Sequence, residues 1–202
     1  NDFPRAANYN SWESICETFP HLKNVNSKNF NTDNIKECRA FIIRSNNEDD
    51  VHKSIKYGIW TSSPRNNEML NKLFSECYPR NVPIYLFYSV IKSGQFVGVA
   101  QMMSGVQEIS SNLWWEGDKW MNQFETKWIF VKDVSYKSFS QILIDGAPVS
   151  RAKDCTNVPS DTAFEMLKIY KGRPNLPNIF SSFEYMDYRE DYLRCYKASL
   201  AQ

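Results

Sequence analysis

With 202 residues, 42% of them hydrophobic and 15% aromatic, the chain is long enough to bury one sizeable core and reads as a packed globular domain. A net charge of +1 excludes a global attraction to nucleic acid, so any phosphate contact has to come from a local patch. The five cysteines (Cys16, Cys38, Cys77, Cys155, Cys195) form no CxxC pair and the two histidines (His21, His52) supply no zinc-ligand set; the expectation is reduced thiols, no metal and no cofactor.

Residues 1–37 are rich in Asn and Ser and poor in aliphatics, and read as a loosely structured lead-in that packs on or flanks the domain. Trp12, Ile15 and Phe19 within it have helical spacing. The rest of the chain, 38–202, reads as the domain proper. RAFIIR (39–44) is a short apolar run, expected to be a buried strand, and SNNEDD (45–50) suits a turn with a helix N-cap. Val51, Ile55 and Ile59 then recur every four residues, predicting a helix that ends near Gly58 and leaves Trp60 at or just past its C-terminus. A second helix opens at Pro64 or its neighbours, with Met69, Leu70, Leu73 and Phe74 as its expected buried face.

The period then changes. PIYLFYSVI (83–91) and QFVGVAQMM (95–103) flank KSG and read as a hairpin, with further strands at 126–134 and 140–146. Between Met103 and Thr126 lies a long segment of little periodicity that carries Trp114, Trp115 and Trp120. DTAFEMLKIYK (161–171) is helical, and the C-terminal segment reads as an amphipathic helix with Tyr188, Tyr192 and Cys195 on one side. The element order predicts an α+β fold, a curled mixed β-sheet of about six strands, open and barrel-like, wrapped by helices. Neither a signal peptide nor an apolar run of membrane-spanning length is present. The start without Met reads as a domain excised from a longer protein.

Chemistry concentrates around the tryptophans. Trp128 alternates within a buried strand and reads as core. Trp60, Trp115 and Trp120 either anchor loops to the core or form a cage; Trp115 and Trp120 sit among Glu116, Gly117, Asp118 and Lys119 rather than aliphatics, and an indole in such a setting often keeps one face for a ligand. The Asn amides of SNNEDD either cap a helix or face a base edge. Arg44, Lys53, Lys56, Lys119, Arg151 and Lys153 are either solvated charges or phosphate contacts on a single strand. No Gly-rich phosphate loop, GxSxG or HxD is present, so an enzyme is not expected.

FIIRSNNEDDVHKSIKYGIW, SGQFVGVAQM, WEGDKW, KWIFVKDV and KDCTNVP, in that order, together resemble the YTH domain, a reader of N6-methyladenosine in RNA. WEGDKW, KWIFVKDV and the late NIFSSF are more similar to the cytoplasmic DF class than to the nuclear DC class. The resemblance covers roughly 38–190. It implies a non-catalytic, monomeric reader of single-stranded RNA that regulates mRNA fate. It implies a cytoplasmic location, with a nuclear one as the alternative, and effector proteins recruited through regions outside this chain. By position it implies a cage of Trp60, Trp115 and Trp120, with Trp114 as a loop anchor. Asn46 and Asp50 fall at the adenine ring edge, Ser45 and Asn47 contribute backbone groups, and the Thr61 carbonyl accepts the N6 hydrogen. Arg44 and Lys153 fall at phosphate-contacting positions. The DF class commonly has Tyr at Asn46, Lys at Arg44 and Arg at Lys153; the last exchange removes the planar fork that grips a phosphate. The competing expectation is a methyl-lysine peptide reader that uses the same aromatics with Asp50 or Glu116.

Overall fold

A computed structural model of the chain describes residues 11–109, 121–175 and 179–201. Its centre is a six-stranded sheet built on β1 (Arg39–Ser45) and β3 (Ile84–Val90), which pair in parallel. Side chains alternate between the two faces of each strand. Phe41, Ile43, Leu86 and Tyr88 enter one core, and Ala40, Ile42, Tyr85 and Phe87 enter the other. Both faces are therefore covered, which is why these strands read in sequence as unbroken apolar runs rather than as polar–apolar alternation.

A parallel pair requires a crossover. Here it is made by α2 (Glu48–Tyr57), the two-residue β2 (Ile59–Trp60) and α3 (Pro64–Cys77). Val51 and Ile55 of α2, with Leu70, Leu73 and Cys77 of α3, bury against the first face. Met69, expected there, is 37% exposed, and Cys77 one turn beyond Leu73 takes up the buried stripe instead. β3 turns back through Lys92 and Gly94, both at positive φ, into β4 (Gln95–Met102), which pairs antiparallel with β5 (Phe124–Ser135). The register slips twice along this pair, and a Cβ on Gly98 would collide with the Phe130 carbonyl and the Trp128 ring. Glycine at this point lets two bulged strands close up and the sheet curl.

The expected strand at 140–146 shrinks to a two-residue ladder, β6 (Leu143–Ile144) with β7 (Ala147–Pro148), around Asp145 and Gly146 at φ 50 and 80. An Asp-Gly pair at positive φ forces a tight hairpin there rather than a longer strand. β8 (Thr156–Val158), not expected from sequence, pairs antiparallel with β1 and completes the sheet in the order β2-β5-β4-β3-β1-β8. The second face is closed by α4 (Ser160–Lys171) through Ala163, Met166, Leu167 and Tyr170.

The N-terminal residues pack on this frame. Ile15 of α1 (Trp12–Thr18) and Leu22 belong to the first core. The Asn26 side-chain amide exchanges hydrogen bonds with the Val131 backbone at 2.9 and 3.0 Å, satisfying β5 where β2 no longer reaches. α5 (Phe183–Leu200) buries Phe183, Met186, Asp187 and Glu190, whereas Tyr188, Tyr192 and Cys195, the expected inner face, are exposed. The reason is ionic. Asp187 and Glu190 meet Lys56 of α2 at 2.8 and 3.2 Å, His52 lies 3.0 Å from Asp187, and the Tyr57 hydroxyl donates to Glu190 at 2.7 Å. His52, Asp187 and Glu190 are close enough to share a metal ion, but the Lys56 ammonium already bridges both carboxylates and Arg194 meets Glu190 at 2.8 Å. No described helix is long and apolar enough to cross a membrane.

Candidate nucleic-acid interface

Three segments converge: the turn after β1, the end of the α2–β2 connection, and the loop before β8. The turn is held by its own polar side chains. Ser45 Oγ donates to the Asn47 carbonyl at 2.7 Å, and Asn47 Oδ1 accepts the Asp50 N–H at 2.8 Å as the N-cap of α2. Ser45 and Asn47 are thus occupied in shaping the turn. Asn46 is exposed, and among the described residues no hydrogen bond engages its amide. Asp50 is 8% exposed and shares the first turn of α2 with Glu48 and Asp49, at the positive end of the helix dipole. Lys53, one turn on, has its pKa pulled down by burial against the opposing pull of Asp50, Glu190 and Asp49. Lys56 faces Asp187 and Glu190 in the α5 contact, away from any phosphate role.

α2 stops at Gly58, whose left-handed φ of 65 is the usual helix-ending conformation, and the Gly58 carbonyl accepts the Thr126 N–H at 2.9 Å. This sets Trp60 opposite Phe124 of β5. Trp60 is only 5% exposed, and its ring stands perpendicular to Tyr88 at 4.9 Å. Tyr88 in turn meets Trp128 at 4.5 Å, and Trp128 Nε1 donates to Ser54 of α2 at 3.3 Å. Trp60 therefore belongs to the core, and Trp128 is core as expected from its strand position. Trp114, Trp115 and Trp120 lie outside the described residues. The stems of that segment are pinned together by the Gln107–Gln123 bridge, at 2.7 and 3.2 Å, immediately before Phe124.

Beyond Trp60 the backbone is braced by two asparagines that sequence reasoning missed. Asn67 Oδ1 accepts the Ser62 N–H at 3.0 Å and its Nδ2 donates to Thr61 Oγ1 at 3.3 Å. Asn66 Nδ2 donates to Ser62 Oγ at 3.1 Å and to Asp154 Oδ2 at 3.4 Å. Asp154 Oδ1 accepts the Arg44 N–H at 2.8 Å, which joins the end of β1 to the start of α3. Desolvation pushes the Asp154 carboxyl above its ordinary range, against the N–H groups of Arg44 and Cys155. A usable signal was present: two consecutive asparagines inside the first turns of a helix, where Asn is a weak helix former.

The basic residues divide. The Arg44 guanidinium donates to the carbonyls of Ala152 (2.9 Å) and Ser150 (2.7 Å) and to the Tyr136 hydroxyl. These bonds give its side chain an internal task, holding the 150–154 loop, and use three of its five N–H groups. Lys153 is exposed on that loop, its carbonyl fixed by Thr156 N and Oγ1 at 3.1 and 2.7 Å, and no described carboxylate pairs with its ammonium.

Comparison with known proteins identifies the family and the fold. The family model described as YTH, YT521-B-like domain, matches residues 38–171. YTH domain-containing family protein 1 of Mus musculus is 38% identical over 180 residues, which cover 88% of this chain and 32% of the relative. The chain thus spans about a third of the length of the curated relatives it matches. The crystal structure of the YTH domain of Zygosaccharomyces rouxii MRB1 protein in complex with N6-methyladenosine RNA superposes with a TM-score of 0.64 at 34% identity, covering 70% of this chain and 92% of that one. The Pho92 YTH domain in complex with m6A gives 0.61 at 26% identity, over 69% and 87%. With two thirds of its length in the family model and its likeness to DF-class relatives, this chain belongs to the YTH domain family.

Proposed function

We propose that the chain is a reader of N6-methyladenosine in single-stranded RNA, with Trp60, Trp115 and Trp120 as the cage. The observation that carries this is the Thr61 carbonyl: it directly follows a buried tryptophan, and among the described residues nothing donates to it. It is the one acceptor a base with a single N6 hydrogen needs. The MRB1 relative, solved with N6-methyladenosine RNA, supports the reading.

Discrimination then rests on one methyl. Burying it contributes about 0.8 kcal/mol. Unmethylated adenine carries a second N–H into an aromatic pocket that cannot accept it, at a cost of roughly 1–3 kcal/mol. Together these give roughly 20- to 600-fold preference. The methyl is neutral, so no cation–π attraction is needed. Asn46, Asp50 and the backbone of Ser45 and Asn47 meet the ring edge, and Lys153 and the remaining N–H groups of Arg44 meet phosphates. Residues 38–202 form the RNA-binding domain with 11–37 packed on it, within a longer protein that acts on mRNA in the cytoplasm. An anisotropy titration tests the ligand class: the chain is expected to bind an N6-methyladenosine oligomer and not a trimethyl-lysine peptide. Binding of the peptide without the RNA would replace this reading with a peptide reader.

A further inference from the structure

We infer that Asn67 is a positioning residue for methyl recognition: it sets the direction in which the Thr61 carbonyl points. The inference rests on the reading of Thr61 as the N6–H acceptor. Asn67 is the fourth residue of α3 and 5% exposed. Its backbone N–H is already spent on the Ser63 carbonyl at 2.8 Å, within the opening of the helix. The side chain turns back onto the preceding segment, where Oδ1 accepts the Ser62 N–H at 3.0 Å and Nδ2 donates to the Thr61 hydroxyl oxygen at 3.3 Å. The amide orientation follows from chemistry, because a backbone N–H only donates and must face Oδ1.

The Ser62 N–H and the Thr61 C=O belong to one peptide plane. In a trans peptide these two groups point in opposite directions. Anchoring the N–H on Asn67, toward α3, therefore aims the carbonyl away from α3. Without the anchor this plane could rotate through the ψ of Thr61 and the φ of Ser62, and the acceptor would turn with it. A second hold comes from Asn66, which fixes the Ser62 hydroxyl at 3.1 Å and ties it to Asp154. Ser62 is 4% exposed, so its N–H has no water to fall back on, and the bond to Asn67 is the one that satisfies it. Among the described residues no donor meets the Thr61 carbonyl, so the brace leaves this acceptor open instead of consuming it.

The test compares affinities for two RNA oligomers differing only by the N6-methyl, in wild type, Asn67→Leu and Asn67→Asp. Leucine has similar volume and no acceptor; aspartate keeps an acceptor for the Ser62 N–H. Asn67→Leu should lower the methylated-to-unmethylated ratio about tenfold, the worth of one misplaced hydrogen bond. Affinity for unmethylated RNA should change less. Asn67→Asp should weaken both RNAs alike through its added charge and retain the ratio. A ratio unchanged in Asn67→Leu, or lost equally in Asn67→Asp, overturns the inference while leaving the reader function intact. A wild-type ratio of one overturns the reader assignment itself. If Asn67→Leu does not fold, amide exchange in the wild-type protein decides: slow exchange at Ser62 supports the anchor, and exchange at the rate of an open loop overturns it.

Discussion

Replacing Trp60 by alanine removes two things at once, and their sizes can be separated. The indole is 5% exposed, pairs edge-to-face with Tyr88 at 4.9 Å and shares a cluster with Phe124 and Trp128. Truncating such a side chain costs about 3–5 kcal/mol of stability, a large share of the 5–15 kcal/mol typical of a domain. Melting temperature should therefore fall by several degrees or more. On the binding side the wall supplies stacking of about 1–3 kcal/mol per base, a loss of roughly 5- to 150-fold for methylated RNA. Unmethylated RNA should lose less, because it has no methyl contact on that wall to forfeit and an opened cage lets water reach its second N–H. Both contributions to the preference go, and the ratio should collapse toward one. The assay is anisotropy with paired oligomers, run well below the melting temperature of the variant and accompanied by circular dichroism. Trp60→Phe is the companion: it keeps a ring against Tyr88 and should retain both the fold and part of the ratio. A folded Trp60→Ala protein with the wild-type ratio would refute the reasoning.

Asp50→Asn should tighten methylated RNA by about three- to tenfold, since an ionised carboxylate and the adenine ring nitrogens are all acceptors whereas an amide can donate; unchanged or weaker binding would place Asp50 away from the ring. Asp133 should make stability depend on pH. Burial, and next the Glu48 carboxylate, push its carboxyl up to about 6 from 3.8, against a hydrogen bond from Gln95. The native state thus holds this proton more tightly than the unfolded chain, and stability falls as pH rises from about 4 through about 6. Asp133→Asn should melt higher than wild type at pH 8, by roughly 1–2 kcal/mol after allowing for solvent screening, and lose that advantage near pH 4; equal melting at both pH values would contradict it. Lys56→Met should cost about 3–5 kcal/mol by leaving Asp187 and Glu190 buried without their shared cation, with amide exchange accelerating first in α5. Unchanged α5 protection would mean that the ionic contact is not what docks this helix.

The legible parts of the sequence were those governed by local rules. β1 and β3 announced themselves as apolar runs because both faces are covered. The span of α2 followed from the Asn47 cap and the left-handed Gly58, and that span placed Trp60 just beyond a helix end. The parts that were not legible depend on partners distant in sequence. Arg44 reads as a free cation until Ala152 and Ser150, 108 and 106 residues away, take its guanidinium. The inner face of α5 is acidic because Lys56 and His52 wait on α2, so an apolar stripe pointed to the wrong side. Asn66 and Asn67 looked like turn residues until Asp154, 88 residues on, and the Ser62 amide gave them work.

The central claim is recognition of a single methyl group, and one titration addresses it directly. Wild-type protein is titrated against two single-stranded RNAs identical except for the N6-methyl on one adenine. The account predicts tighter binding of the methylated strand by at least about twentyfold. It also predicts parallel salt slopes for the two strands, since both make the same phosphate contacts. Equal affinity for the two strands would contradict it.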